Sequence, residues 1–244
     1  MEYVTPEGLR IDGRRPKELR RLDCSLDVLQ SADGSAVFQM GNTKVLAAVF
    51  GPHEVEVRNQ MKEDKAIIKC EYAMAAFSTG ERRKRGKSDR RSQELSLVIK
   101  AALEQTVMVE LLPRTQIDVY VQVLQADGGT RVAAINAAVL ALASAGVPLR
   151  DLAAGCAAGY LEGHSLLDLN FQEDSAGGPD CSIALHPNSD RLVLLQMDSR
   201  LPMDTFEAVL NLAQDGCRAV ASFMRQRLLE HTRKLAMARG AVRA

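Results

Sequence analysis

Three short stretches of the chain carry residue types that could do chemistry. The first is LQADGGTR, residues 124–131, where strand-like residues run into a glycine pair just ahead of a helical pattern. Glycine adopts positive φ without steric cost and lets an anion approach the backbone without meeting a Cβ. A helix starting at about Thr130 would add unpaired N–H groups and the positive end of its dipole. Thr130 contributes a hydroxyl, and Arg131 a planar cationic fork suited to phosphate. The same residues also read as a tight turn, with Thr130 capping the helix and Arg131 in solvent. Neither G-x-x-x-x-G-K-[ST] nor G-x-G-x-x-G is present here, so the standard nucleotide signatures lend no support.

The second stretch, GERRKRGKSDRR at residues 80–91, is dense in arginine and lysine. A run of this kind is often a solvated loop. Arg90 and Arg91, however, directly precede a helical pattern that begins near Ser92, and paired arginines suit bidentate contact with phosphate oxygens. The third stretch is EDSAGGPD, residues 173–180, in which Asp174 and Asp180 flank a Gly-Gly-Pro turn between two expected strands. Such a loop either brings two carboxylates together around a divalent cation, leaves one as a general acid, or is simply a polar hairpin turn. Taken together, an anion cradle, a basic clamp and a carboxylate pair are what phosphoryl-type chemistry on a polyanion requires, since positioning and charge neutralisation carry most of that catalysis.

The elements that must position these residues can be read from periodicity. Residues 22–74 are β-rich: SAVFQM, TKVLAAVFGP and AIIKCEYAM are short apolar, β-branched runs separated by turn signals. From Ser92 apolar residues recur at helical spacing, predicting an amphipathic helix that ends near Pro113. TQIDVYVQVLQ alternates as a strand, and TRVAAINAAVLALASAG, nearly uncharged after Arg131, predicts a helix buried on most of its surface. Strands resume at LAAGCAAGYLEG, LLDLN, CSIALHP and RLVLLQMD, and a long amphipathic helix at roughly 203–236 follows. This order predicts an α+β fold of mixed sheets with packed helices, in one domain over residues 1–244.

Composition bounds the function further. The 244 residues balance 31 basic against 31 acidic side chains, which excludes a chain uniformly coated for nucleic acid but leaves local basic patches. No apolar run approaches the roughly 20 residues that span a bilayer, and the N-terminus has no signal-peptide core. No membrane association is expected, and the compartment expected is the cytoplasm and, in a eukaryote, also the nucleus and nucleolus. The five cysteines are scattered without a C-x-x-C pair, so neither a disulfide framework nor a zinc site is expected. His53 and His186 stand alone where strands run into turns and are assigned no chemistry.

RIDGRRPKELR, ADGSAVFQMGNTKVLAAVFGP, FSTGER, RRSQELS, LQADGGTR, AGVPLRDL and LDLNFQEDSAGGPD, in that order, resemble the RNase PH family over nearly the whole chain. The similarity is greatest to the catalytic-type RNase PH-like subunit of the archaeal and eukaryotic RNA exosome. The resemblance implies an RNase PH-type fold, like a domain of a ribosomal protein, with two similar halves. It implies a six-membered ring built with paralogous RNase PH-like subunits and joined by RNA-binding cap subunits. Single-stranded RNA threading that ring would be degraded from its 3′ end by inorganic phosphate, releasing nucleoside diphosphates, with activity depending on the neighbouring subunit. Carried over motif by motif, Gly129, Thr130, Arg131 and Arg91 would hold the attacking phosphate, and Arg90 would contact the RNA backbone. Asp174 and Asp180 would bind Mg2+ (or Mn2+), with Asp180 also the acid for the departing 3′ oxygen. Lys65, Lys69 and the basic loop 82–87 are further candidates for RNA contact. Two rival readings are a catalytically silent, RNA-binding ring member and a small-molecule kinase of related fold. Retention of Arg91, Arg131, Asp174 and Asp180 favours the enzyme.

Overall fold

The alanine-rich segment after the glycine pair folds as helix α2, Thr130–Ser144, and every residue from Val132 to Leu142 is buried. Small side chains all round the helix let two layers approach it at once. In the computed structural model, which describes residues 3–57, 59, 61–82, 89–238 and 240, those layers are two β-sheets. Each large apolar residue so enclosed, such as Ile135 or Leu140, contributes about 1.5–3 kcal/mol by leaving water.

The first sheet has five strands in the order β1 (Leu22–Leu26), β2 (Gly34–Met40), β3 (Thr43–Glu54), β5 (Thr115–Gln125) and β4 (Ile67–Met74). All its pairs are antiparallel except β4 and β5, which run parallel. A parallel pair needs a crossover, and α1, Arg90–Thr106, supplies it, packing on β4 and beside α2. The second sheet is antiparallel throughout, in the order β7 (His164–Leu167), β6 (Ala154–Leu161), β8 (Asp180–His186) and β9 (Arg191–Met197). A short helix α3, Phe171–Asp174, lies between β7 and β8. The long helix α4, Met203–Ala238, covers the second sheet opposite α2, its Val209, Ala213 and Cys217 packing with Cys156, Cys181 and Ile183. The layers are therefore sheet, helices, sheet, helix.

Most expected strands and the buried helix are found where periodicity puts them, but the strand expected at LLDLN lies earlier, as β7, and ends at Leu167, since Asp168 takes left-handed backbone; the mixed pairing is confined to the first sheet. Several boundaries differ. Helix α1 begins at Arg90 rather than Ser92, because the Asp89 side chain caps it by accepting from the Arg91 N–H. It ends at Thr106, not near Pro113, since β-branched Val107 turns extended and forms a bridge with Leu149, and Val109–Leu111 make only a 3₁₀ turn. Asp174 is not on a loop between two strands. It is the last residue of α3, which Asn170 and Glu173 nucleate with a reciprocal capping box. All five cysteines are free thiols, and burial pushes Cys70 up to about 12 and Cys24 and Cys181 up to about 11, out of the nucleophilic range.

One polar group ties the central helix to the second sheet. Strand β7 pairs only with Ala158–Leu161 of β6, so the backbone of Gly155 has no strand beside it there. The buried amide of Asn136 takes the place of one, donating to the Gly155 carbonyl at 3.0 Å and accepting from its N–H at 2.7 Å. Asn136→Ala strands both backbone groups in the interior. At roughly 1–3 kcal/mol per unsatisfied group, the expected loss is about 2–6 kcal/mol, measured as a shift in the denaturant midpoint at constant slope.

Candidate active site

The glycine turn of LQADGGTR is bolted from below. Gly128 and Gly129 both have positive φ, 73° and 63°, and a Cβ on Gly128 would lie 2.5 Å from the Leu169 carbonyl oxygen, so only glycine fits there. Gly129, not Thr130, is the N-cap of α2, and no side chain caps the helix. The first N–H groups of α2 are therefore left for another acceptor, because the first helical bond from this turn is Ala133 N–H to the Gly129 carbonyl. Arg131, expected either in solvent or on an anion, is only partly exposed. Its buried Nε finds no hydrogen-bond partner among the described residues. A guanidinium N–H left orphaned in this way calls for an acceptor.

Around this helix start lies a cleft of about 130 Å³, lined by Arg91, Gly129, Thr130, Arg131, Asp174, Asp180 and Asp198, with Leu95 and Leu169 as apolar walls. That is well under the roughly 300 Å³ of a site for a drug-sized ligand, and suits a phosphoryl group rather than a whole nucleotide. Both helices whose N-termini approach it carry arginine, and neither has an acid, in the first turn. Cations are misplaced there against the helix dipole, at a cost of about 0.3–1 kcal/mol each, unless an anion binds between them.

Opposite the arginines stand the carboxylates. Asp180 is the first residue of β8 and Asp174 the last of α3. The β8–β9 pairing of Cys181 with Met197 brings Asp198, just beyond β9, next to Asp180. Reduced hydration raises the pKa of both Asp174 and Asp180. Asp180 is pushed further by its neighbours Asp174 and Asp198 and held back by Arg131, whereas Asp174 is held back by Arg91 and Arg131. Asp174 is exposed at the cleft rim and still feels this, since the protein crowds its carboxyl. Among the described residues, no cluster of three or more His, Cys, Asp or Glu side chains is arranged to hold a metal unaided.

Sequence reasoning missed Asp198 and the buried Ser182, which both line the cleft. An Asp immediately after the apolar run LVLLQM was the available signal, but only the strand register reveals what it faces. Other expectations fall elsewhere. Arg90 is exposed in the first turn of α1 and does not line the cleft. Lys69 sits on β4 with its ammonium 2.9 Å from Glu56, and Lys65 lies just before that strand, so neither reaches the cleft. Of the basic loop 82–87, Arg82 is described, and residues 83–87 lie outside the described residues. His53 bonds Asp118 at 3.1 Å and His186 meets the Thr106 hydroxyl at 3.2 Å, both away from the cleft.

Residues 18–148 match domain 1 of the 3′ exoribonuclease family, and residues 151–216 match domain 2. The chain belongs to the RNase PH family of 3′ exoribonucleases. Among its relatives is the exosome complex component RRP41 homolog of Arabidopsis thaliana, 57% identical over 99% of this chain and 100% of that one. Another is the exosome complex component Rrp41 of Thermococcus onnurineus, 48% identical over 97% of this chain and 94% of the relative. The crystal structure of rice Rrp46 superposes with a TM-score of 0.79 at 29% identity, covering 90% of this chain and all of that one. The RNase PH-type fold with two sheets and four helices is thereby shown.

The raised carboxyls make the cleft a pH-dependent liability to folding. A carboxyl whose folded pKa exceeds its unfolded value near 3.9 stabilises fully below that value, and the contribution is lost as pH rises through the folded pKa. Asp180→Asn removes that loss. Its melting temperature relative to wild type is expected to rise between about pH 4 and pH 7, so that the variant shows the flatter profile. Thermal melts across that range check this, and a constant difference between the two proteins would contradict it.

Proposed function

We propose that this chain is the catalytic RNase PH-like subunit of an RNA exosome ring, a 3′-to-5′ exoribonuclease that degrades RNA by phosphorolysis. The observation that carries the reading is the cleft itself. Two arginine-bearing helix starts face Asp174 and Asp180, and Arg131 lines the space between them with a buried Nε that has no hydrogen-bond partner among the described residues. A ring member without activity has no use for this costly arrangement. A cleft of phosphate size likewise argues against a nucleotide-binding kinase.

In this reading inorganic phosphate lies against the N–H groups at Gly129 and Thr130, with Arg131 and Arg91 sharing its charge. The glycines let it approach the backbone, and the dipole of α2 favours its negative charge. The held phosphate oxygen attacks the terminal phosphodiester of the RNA in line. A new P–O bond forms to the phosphate, the bond to the preceding 3′ oxygen breaks, and a nucleoside 5′-diphosphate leaves. Asp180, whose pKa is raised by its reduced hydration and by the neighbouring Asp174 and Asp198, gives its proton to the departing 3′ oxygen. Asp174 and Asp180 offer hard oxygen donors of the kind that suit Mg2+ or Mn2+, and magnesium is commonly held by one or two carboxylates together with substrate phosphates. Such an ion would supply neutralisation of the charge that builds on the transferring phosphoryl group.

Arg90, on the outer side of the same helix turn, is assigned to the RNA backbone, with Arg82, Lys65 and Lys69 as more distant contacts. The chain acts as one unit over residues 1–244, since α2 belongs to the core of both sheets. Its partners are paralogous RNase PH-like subunits in a six-membered ring, RNA-binding cap subunits and single-stranded RNA. It works in the cytoplasm and, in a eukaryote, also in the nucleus and nucleolus.

The test is to assemble the ring and supply RNA with and without phosphate. Nucleoside diphosphates are expected only with phosphate, and monophosphates released without it would refute phosphorolysis. Asp180→Ala is expected to lower turnover by at least about 10²-fold, the usual size of a lost proton donor, while the ring still retains RNA in a filter-binding assay. Arg131→Tyr removes a charge-assisted contact to the nucleophile and is expected to raise the phosphate requirement at least about tenfold.

A further inference from the structure

Beneath the glycine turn lies a buried ion pair that the reaction as described does not use. Arg20 belongs to the irregular N-terminal segment, and its side chain is 6% exposed; that of Asp168, just past β7, is fully buried. Asp168 accepts from the Arg20 backbone N–H at 3.0 Å, from Nε at 2.9 Å and from Nη2 at 2.7 Å, so the guanidinium is gripped along one edge. Of its remaining donors, Nη1 goes to the Asp127 carbonyl and, at 3.4 Å, to the Thr43 hydroxyl, and Nη2 to the Gly128 carbonyl at 3.5 Å. The buried Thr43 hydroxyl donates to the same Gly128 carbonyl at 2.7 Å and accepts from the Asp127 N–H at 3.1 Å.

Those contacts have a directional consequence. In a trans peptide the carbonyl and the following N–H point in opposite senses. With the carbonyls of Asp127 and Gly128 drawn inward onto Arg20 and Thr43, the N–H groups of Gly128 and Gly129 face the other way. Gly129 is the residue that opens α2 and lines the cleft. We infer that Arg20, clamped by Asp168 and assisted by Thr43, is a positioning residue that sets the peptide planes of the glycine turn for the attacking phosphate. The inference rests on the reading that phosphate binds at Gly129, Thr130 and Arg131. Arg20 itself touches neither the phosphate nor the RNA. A lysine at this position keeps the charge but cannot span Asp168 and two carbonyls at once.

The test uses the chain assembled with its paralogous partners and measures phosphorolysis with phosphate and RNA varied separately. Arg20→Gln and Arg20→Lys are each expected to raise the KM for phosphate at least about tenfold, the scale of one lost charge-assisted hydrogen bond. Thr43→Val, which removes one neutral donor to the Gly128 carbonyl, is expected to raise it by about threefold. The KM for RNA, and kcat at saturating phosphate, are expected to stay within about twofold of wild type. A parallel change in both KM values and kcat would mean a merely structural role, and an unchanged KM for phosphate would also overturn the inference. If the Arg20 variants do not fold, Thr43→Val decides the matter alone. Arg131→Ala, run alongside, separates the two levels: if it leaves the KM for phosphate unchanged, the phosphate site itself is misassigned. If it raises that KM and the Arg20 and Thr43 variants do not, only the positioning role fails.

Discussion

The position of helix α2 is the constraint on which the rest of the molecule depends. Its eleven consecutive buried residues, Val132–Leu142, are packed on the first sheet through one side and the second sheet through the other. A helix gripped on two sides cannot slide or tilt without opening both interfaces, because protein interiors are close-packed. Its N-terminus is thereby placed to within the tolerance of the core. The cleft inherits that rigidity: the cradle lies at the end of α2, Asp180 starts a strand of one sheet, and Arg91 starts the helix that crosses over on the other. Each sheet supplies one sign of charge, and the shared helix sets the distance between them.

Charge of both signs is concentrated in this cleft beyond what folding would favour. Arginines occupy the first turns of two helices, against the dipole, and burial, with repulsion from neighbouring aspartates added, raises the pKa values of Asp174 and Asp180. Neither group is neutralised internally: Arg131 Nε has no partner among the described residues, and Asp174 and Asp180 form no ion pair within salt-bridge range there. Contrast Arg10 with Glu173 and Arg20 with Asp168, where buried charges of opposite sign are matched and fully hydrogen-bonded. The fold can pair buried charges where it needs structure. Leaving others unpaired, yet facing one another across a gap of phosphate size, is the signature of a site whose missing charges arrive with the substrate.

How much of this was legible in the sequence follows from which interactions are local. Alternation in TQIDVYVQVLQ marks the strand and its apolar buried face, though Gln116 and Asp118 on the other face are buried too, and the uncharged pattern after Arg131 marks a helix buried all round; those elements stand where the pattern puts them. The glycine pair, Arg91, Asp174 and Asp180 were legible as chemistry-bearing types, and the family resemblance drew them into one set. Asp198 was not, because its place beside Asp180 depends on a register shift between Ala184 and Leu185, and a bulge has no reliable mark in sequence. Nor was Arg20, one of many arginines near the N-terminus, since its partner Asp168 is remote along the chain and meets it only in the folded state. The misreading of Thr130 as a cap has a similar origin. Threonine before a helical run fits the rule for caps, but the turn needs left-handed backbone at Gly129, and that residue takes the cap position with no side chain to fill it.

That last exception bears on how the site works. A side-chain cap on α2 would satisfy the very N–H groups that an incoming anion needs, so a good cap and a good cradle compete for the same donors. The chain resolves the competition in opposite ways at its two helix starts. At α1 Asp89 caps the helix and occupies the Arg91 N–H, leaving only the Arg91 side chain to face the cleft. At α2 glycine replaces the cap, the small stability a side-chain cap would add over glycine (roughly a few tenths of a kcal/mol) is forgone, and the backbone itself is kept open. The polar network behind the turn, with Arg20 and Thr43 on its carbonyls, then does what the cap would have done for rigidity, from the side away from the ligand. Binding and support are thus separated onto the two faces of a single pair of peptide planes.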